Sequence, residues 1–271
     1  VLRVLLLVSS EFEAWEYGHL PLGEQLGSQG VRQIELDVYH DPEGGRFGAR
    51  QALRLVQEPI LSPDPVMFEP GFKGLHVPGL DFESSCLSLD RCLREVRAFS
   101  DANPRHLPIA ILVELKDDPI PDPLALGFAT PLPIDGAALE ALDVAIRAVF
   151  PPSRLLTPDD VRGHHATLEN AVLTGGWPAL GEARGKAIFL MDNGEPFRSR
   201  YREGRPSLEG RVMFTNAVPG DADAAFVKVN DPSADPTLIP ELVARGYLVR
   251  TRSDGDTRAA RSGDTAQRDA A

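Results

Sequence analysis

Two acidic side chains, Glu35 and Asp37, stand two positions apart in the apolar stretch VRQIELDV at residues 31–38. Side chains alternate between the faces of a β-strand, so both carboxylates project from one face and the apolar residues from the other. Adjacent carboxylates repel each other unless a cation, a substrate hydroxyl or a basic side chain lies between them. The pair is therefore a candidate metal or acid–base site. The alternative is a solvated acidic face on an edge strand.

Two other stretches carry residues of the same chemical kind. Residues 109–115, IAILVEL, form an almost continuous apolar run, which predicts a strand buried on both faces. Glu114 lies inside this run, and because a buried charge is costly unless it is paired, it is the third candidate acid. Residues 72–77, FKGLHV, predict a short strand that carries His76 near its end. A lone histidine is more often structural than catalytic, so His76 needs support from its neighbours.

Strands and helices alternate along the chain, which is the pattern of an α/β protein. Further strands are predicted at residues 186–192, 212–215, 225–229 and 247–251, and helices at 93–99, 135–149, from 157 onwards and at 238–245. We expect a single domain over residues 1–271, most economically a TIM-type (β/α) barrel. The carboxyl ends of parallel barrel strands meet at one rim, which would gather the three acids and His76. A doubly wound sheet is the alternative, but no glycine-rich phosphate loop follows a strand.

Composition disfavours several classes of function. The 271 residues carry a net charge of −12, from 28 Lys and Arg against 40 Asp and Glu, without a basic cluster. Nucleic-acid binding and electrostatic attachment to anionic membranes are therefore disfavoured. No apolar run approaches the roughly 18 residues of a membrane-spanning helix. An acidic protein that acts on a phosphate must supply local positive charge, and a bound divalent cation is one source.

The two cysteines, Cys86 and Cys92, lie six positions apart in SSCLSLDRC. They can close a small loop through a disulfide, which would imply an oxidising compartment. Two buried free thiols are the alternative.

Several of these stretches, in this order and spacing, resemble the bacterial calcium-dependent phosphatidylinositol-specific phospholipase C family. The resemblance covers about residues 15–271. The strings that carry it are YGHLPLGEQLGSQGVRQIELDVYHDPEGGRF, GFKGLHVPGLDFESSC, PIAILVELKDD, LLTPDDVRG, GGWPALGEARGKAIFLMDN and YLVRTRSDGDT. The family belongs to the barrel phosphodiesterases, which supports the barrel expected above.

The resemblance implies that Glu35, Asp37 and Glu114 hold a calcium ion, because the family places calcium on carboxylates at the corresponding strand ends. Hard oxygen ligands suit Ca²⁺ and would tolerate Mg²⁺ with more water in its shell, so Ca²⁺ is the expected ion. His76 matches the second of the family's two catalytic histidines, and Lys116 is expected to contact phosphate. The implied reaction is attack of the inositol 2-hydroxyl on the adjacent phosphodiester, with histidines as base and acid.

One family feature is missing. The family begins with a strand carrying a His-Asn pair in a string like SHNSY, and no such pair occurs here. We therefore expect a barrel fragment that lacks its first strand and also its last one, and we expect poor catalysis. Two alternatives follow. One is a glycerophosphodiester phosphodiesterase, although His76 is followed by Val77 rather than by the Asp of that class. The other is a non-catalytic barrel that binds a ligand.

The resemblance also predicts the setting in which the protein acts. A phosphoinositide or related phosphodiester is the expected substrate, nucleic acid is not expected, and transient contact with a membrane surface is expected. The family and the two cysteines together predict a secreted or extracytoplasmic protein.

Overall fold

The computed structural model describes residues 1–271, with eight strands and eleven α-helices. The strands are β1 (Gln33–Asp41), β2 (Gly71–Gly74), β3 (Ile109–Leu115), β4 (Leu155–Leu156), β5 (Ala187–Met191), β6 (Met213–Thr215), β7 (Phe226–Val229) and β8 (Leu248–Thr251). The helices are α1 (Leu2–Leu5), α2 (Leu22–Gly27), α3 (Leu89–Ala102), α4 (Gly136–Val149), α5 (Pro158–Arg162), α6 (Leu168–Leu173), α7 (Leu180–Ala183), α8 (Phe197–Tyr201), α9 (Leu238–Ala244), α10 (Arg258–Ser262) and α11 (Ala266–Ala270). Four 3-10 helices lie at Ser10–Trp15, Gln51–Val56, Pro65–Phe68 and Pro152–Arg154.

The strands form a mostly parallel sheet. The order is β2-β1-β3-β5, and both β4 and β6 pair with the far side of β5 at different heights. All ladders are parallel except β1 with β2. A parallel bridge from Asn216 to Phe226 continues the series to the separate β7–β8 pair. No ladder joins β8 to β1, so the structure is a mixed α/β fold with a parallel sheet, and a closed ring of strands is not shown.

The hydrophobic core explains why β1 and β3 sit at the centre of the fold. On β1, Ile34, Leu36 and Val38 are buried while Glu35 and Asp37 turn to the other face. Most of β3 is buried on both faces, as its apolar sequence predicted. One cluster of 44 buried hydrophobic residues extends from Leu22 to Tyr247 and packs α2 to α6, α8 and α9 together with the sheet.

Several helices begin at a residue whose side chain caps them. Asp135 accepts a hydrogen bond from the backbone N–H of Ala138 at the start of α4, and Thr157 and Asp160 cap α5 reciprocally. Ser88 caps α3 in the same way. The helices predicted from residues 135 and 157 are therefore confirmed. None of the helices is long and apolar enough to cross a membrane.

The strand predicted at residues 72–77 is shorter than expected and runs the other way. β2 ends at Gly74 and is antiparallel to β1, so His76 does not lie at the carboxyl end of a parallel strand. The strand ends early because of the turn that follows, in which Pro78 cannot donate a backbone hydrogen bond and Gly79 adopts a φ of +78°. The backbone N–H of Asp81 closes this turn on Val77 O at 2.8 Å. His76 is consequently carried by a loop.

Of the two alternatives for the cysteines, the structure contains the disulfide, between Cys86 and Cys92. It links the loop after β2 to α3, which packs against that strand. The bond therefore attaches the C-terminal part of the loop that carries His76 to α3.

Candidate functional site

The three acids predicted as metal ligands lie together although they are distant in sequence. In the parallel register of β1 and β3, Asp37 is opposite Glu114, and Glu35 lies two residues earlier on the same face of β1. One carboxylate oxygen of each lies within 4.8 Å of the others. We call these three residues the acidic cluster. Their convergence follows from strand pairing, whereas their role as ligands stays a prediction.

Lys116 lies directly beside the acidic cluster, just past the end of β3. Its Nζ is 2.8 Å from Glu114 Oε1 and 3.5 Å from Asp37 Oδ1. The lysine thus neutralises part of the negative charge that two strands bring together. Its expected contact with phosphate stays a prediction.

The charges of the acidic cluster are only partly compensated by the protein. Burial and the adjoining Glu114 carboxyl raise the pKa of Asp37 to about 7, against the weaker opposing effect of Lys116. Burial alone would raise the pKa of Glu114, but its contacts with Asp37 and Lys116 outweigh burial and hold that pKa below its ordinary value. The two carboxyls therefore favour sharing a proton. In addition, the buried Asp37 Oδ1 accepts no hydrogen bond.

These features fit a hard divalent cation. All three donors are carboxylate oxygens, which are the ligands that Ca²⁺ and Mg²⁺ prefer. A cation among them would offset the burial and the neighbouring carboxyl that together raise the pKa of Asp37. It would also give Asp37 Oδ1, which has only the ion pair with Lys116 at 3.5 Å, a closer partner. The residues present therefore suit the calcium ion that the sequence resemblance implies.

His76 is held by a carboxylate that the sequence interpretation did not single out. Its Nδ1 lies 2.7 Å from Asp81 Oδ2, across the Pro78–Gly79 turn. This contact outweighs partial burial and raises the pKa of His76, with further help from the negative charge of Asp37. The imidazole is therefore oriented and favours its protonated form.

Two further contacts fix the loop around His76. The Tyr39 hydroxyl donates to the backbone oxygen of His76 at 3.1 Å, and the Leu75 N–H donates to Asp37 O at 3.3 Å. The ring of Trp15 packs edge to face on His76, with centroids 5.4 Å apart. The loop is thus tied both to the acidic strand and to the segment before α2.

A cavity of about 570 Å³ joins His76 to the acidic strand. Its lining includes Glu35, Asp37, His76 and Asp81, together with the rings of Trp15, Tyr17 and His19. Glu114 and Lys116 do not line it and reach it through Asp37. The structure therefore brings the predicted histidine and two of the predicted acids to one concave surface, as expected, although by a loop rather than by a strand end.

The sequence interpretation missed four charged residues of this region. Asp81 was signalled by its place in the Pro-Gly turn five residues after His76. The others lie on or at the end of short strands. Lys228 Nζ pairs with Asp192 Oδ2 at 2.5 Å, and Arg250 Nη2 pairs with Glu35 Oε2 at 2.7 Å. Asp192 directly follows the apolar strand β5, and Glu114 lies one residue before the end of the apolar strand β3. An acidic residue at the end of an apolar run is therefore the signal that could have identified Asp192.

Comparisons with known proteins bear on the family and the fold of the chain. The family model for phosphoinositide phospholipase C, Ca²⁺-dependent, matches residues 4–271. A calcium-dependent phosphoinositol-specific phospholipase C from Pseudomonas sp. superposes with a TM-score of 0.54 at 20% identity, covering 87% of this chain and 77% of that one. A Ca²⁺-dependent phosphatidylinositol-specific phospholipase C from Streptomyces antibioticus gives 0.53 at 20% identity, covering 82% and 73%. Among curated proteins there is no significant match.

Proposed function

The chain belongs to the Ca²⁺-dependent phosphoinositide phospholipase C family, and we propose that it cleaves the phosphodiester between inositol and diacylglycerol in phosphatidylinositol. The observation that carries this proposal is the shared cavity. It holds two acids of the acidic cluster and a histidine oriented by Asp81. A phosphodiester needs both kinds of group, because its negative charge must be screened and its leaving oxygen must be protonated.

Glu35, Asp37 and Glu114 would hold the metal ion. Three carboxylates on two strands and an open cavity suit Ca²⁺, which accepts irregular sets of oxygen ligands, better than Mg²⁺, which demands octahedral geometry. When bound, the ion would screen the phosphate charge and acidify the inositol 2-hydroxyl. Lys116, held between Asp37 and Glu114, would add a positive charge on the phosphate side of the acidic cluster.

We assign to His76 the protonation of the leaving oxygen. Asp81 binds Nδ1, which leaves the Nε2 proton available, and it favours the imidazolium form that an acid requires. In the reaction the 2-oxygen of inositol forms a bond to phosphorus and the bond from phosphorus to the diacylglycerol oxygen breaks. His76 gives its Nε2 proton to that oxygen. The proton of the 2-hydroxyl passes to a carboxylate oxygen of the acidic cluster, and the products are a cyclic inositol phosphate and diacylglycerol.

We further propose that the strands follow the order of a TIM-type (β/α) barrel within one domain over residues 1–271. The parallel ladders from β1 to β6, the bridge from Asn216 to Phe226 and the contact of Arg250 with Glu35 support this arrangement. The main hydrophobic cluster, which extends from Leu22 to Tyr247, supports one domain. Limited proteolysis should then give one resistant body, whereas two separately stable fragments would contradict it.

The expected setting is also a proposal. The Cys86–Cys92 disulfide supports a secreted or extracytoplasmic protein, and non-reducing mass spectrometry of protein from the native host would test it. The exposed Leu7, Val8 and Tyr17 support transient membrane contact, because Tyr17 also lines the cavity. Co-sedimentation with phosphatidylinositol vesicles should be detectable, and its absence would exclude that contact.

The direct test is release of inositol phosphate from phosphatidylinositol vesicles with calcium and with a chelator. Calcium-dependent release, with a cyclic product seen by ³¹P NMR, is the expected result. Vesicles of phosphatidylcholine serve as the control for headgroup recognition, and glycerophosphoinositol tests for glycerophosphodiesterase chemistry. Absence of release with calcium present, despite a folded protein that binds the ion, would favour the non-catalytic alternative.

A further inference from the structure

Arg250 makes the one side-chain link between β8 and β1 that reaches the acidic cluster. Its Nη2 lies 2.7 Å from Glu35 Oε2, and its Nη1 lies 2.5 Å from Asn230 Oδ1. The side chain is 12% exposed, so it is largely withdrawn from water. Glu35 is its only anionic partner. A guanidinium cannot lose its charge, and at this degree of burial it needs an anion at hand.

The cations around the acidic cluster divide into two groups. Lys116 contacts Asp37 and Glu114, whereas Arg250 alone contacts Glu35. When a divalent ion binds to the acidic cluster, the Glu35 carboxylate has two cations to choose between. One is the Arg250 guanidinium, which contacts it in this structure, and the other is the ion. An ion that draws the Glu35 carboxylate toward Asp37 weakens the bond to Arg250.

Arg250 does not line the cavity itself, but it holds the carboxylate of Glu35, which does. A guanidinium released from Glu35 would therefore lie next to the cavity wall that Glu35 forms. Asn230 can keep one nitrogen in place, but it offers no charge. The anion that enters this cavity in the proposed reaction is a phosphodiester, and a guanidinium binds phosphate through two parallel hydrogen bonds. The same arginine can thus neutralise the charge of Glu35 before substrate binds and the charge of the substrate phosphate afterwards.

We propose that Arg250 exchanges Glu35 for the substrate phosphate when a divalent cation binds, and that it thereby couples metal binding to headgroup binding. The proposal rests on the proposed function for the identity of the anion. The coupling is reciprocal, so calcium should tighten headgroup binding and the headgroup should tighten calcium binding. Arg250 is a binding residue in this scheme, and it takes no proton.

The test is isothermal titration calorimetry on Arg250→Met, with calcium alone and then with inositol 1-phosphate in saturating calcium. Without the competing guanidinium, calcium should bind about fivefold more tightly than to the wild type. Inositol 1-phosphate should bind about tenfold more weakly, since its bidentate partner is gone. Arg252→Met is the matched control, because Arg252 is an exposed neighbour whose side chain makes no hydrogen bond or ion pair, and both affinities should be unchanged.

Arg250→Lys covers the case in which the methionine variant does not fold. Lysine keeps the charge but offers no bidentate fork, so calcium affinity should stay near the wild-type value while headgroup affinity falls. Two results would overturn the proposal: a lower calcium affinity in Arg250→Met, or a headgroup affinity equal to that of the wild type. Arg250 would then have only a structural role, in linking β8 to β1. Both affinities are measured without turnover. An inactive protein would therefore contradict the proposed function, whereas the two titrations would still decide the role of Arg250.

Discussion

Replacing Asp81 by Asn tests whether His76 acts as a proton donor held by its neighbour. The amide keeps the size of the side chain but removes the charge that raises the pKa of His76. The pKa should fall toward the ordinary value of about 6.5, so less imidazolium is present at neutral pH. We expect a loss of about 10-fold to 100-fold in kcat at pH 7.5, because an oriented general acid contributes on that order or more.

The structure also sets the size of the stability effect. The side chains of His76 and Asp81 are 36% and 24% exposed, so solvent screens the pair and it contributes at most about 1 kcal/mol. The Tm of Asp81→Asn should therefore lie no more than about 4 °C below that of the wild type. Because the folded pKa of His76 is raised, this contribution is complete below about pH 6.5 and is lost as the pH rises through the folded value. The difference in Tm should be larger at pH 5.5 than at pH 8.5.

The assay is the pH dependence of phosphatidylinositol cleavage at saturating calcium, with differential scanning calorimetry beside it. The alkaline limb of the profile should move to lower pH in Asp81→Asn. The matched control is Glu58→Gln, which removes one negative charge from an exposed carboxylate that does not line the cavity, and its alkaline limb should not move. A lower kcat with an unmoved limb, or a fall in Tm far above 4 °C, would refute proton donation by His76.

Three further predictions concern the acidic cluster and the disulfide. Glu35→Gln should raise the calcium concentration needed for half-maximal activity by about tenfold. Glu43→Gln, at an exposed position, is the control and should leave that concentration unchanged. A calcium titration of Glu35→Gln equal to that of the wild type would exclude Glu35 from the site. Because burial raises the pKa of Asp37 to about 7, stability of the calcium-free protein should fall as the pH rises from about 4 to about 7. The gain in Tm on adding calcium should then be greater at pH 7.5 than at pH 5, and a gain independent of pH would contradict this. Replacing both Cys86 and Cys92 by Ala opens a small loop, which should cost about 2 kcal/mol in unfolding free energy, and unchanged urea denaturation would exclude that stabilisation.

Much of the site's strand framework could be predicted from the sequence because strand periodicity is local. The alternation in IELDV fixed that Glu35 and Asp37 share a face, and the apolar run around Glu114 predicted a buried neighbouring strand. Parallel pairing of two such strands then brings the acids together. The caps at Asp135 and Thr157 were equally local, since each is a hydrogen bond within one turn.

The remaining features depend on contacts that periodicity does not encode. The direction of β2 follows from the path of the connection after β1, so the sequence around His76 could not reveal that a loop carries it. The pairing of Arg250 with Glu35 joins residues 215 positions apart, and nothing in either strand specifies the partner. Whether two cysteines bond depends on the distance between their backbones, which a spacing of six permits but does not require.

The central claim is that Glu35, Asp37 and Glu114 hold a calcium ion beside His76. Anomalous diffraction from crystals grown with calcium tests it most directly. We predict a single strong anomalous peak at the acidic cluster, with carboxylate oxygens of all three residues about 2.3–2.6 Å from the ion. A calcium-loaded crystal in which the peak lies elsewhere, while Arg250 and Lys116 still hold the three carboxylates, would contradict the account.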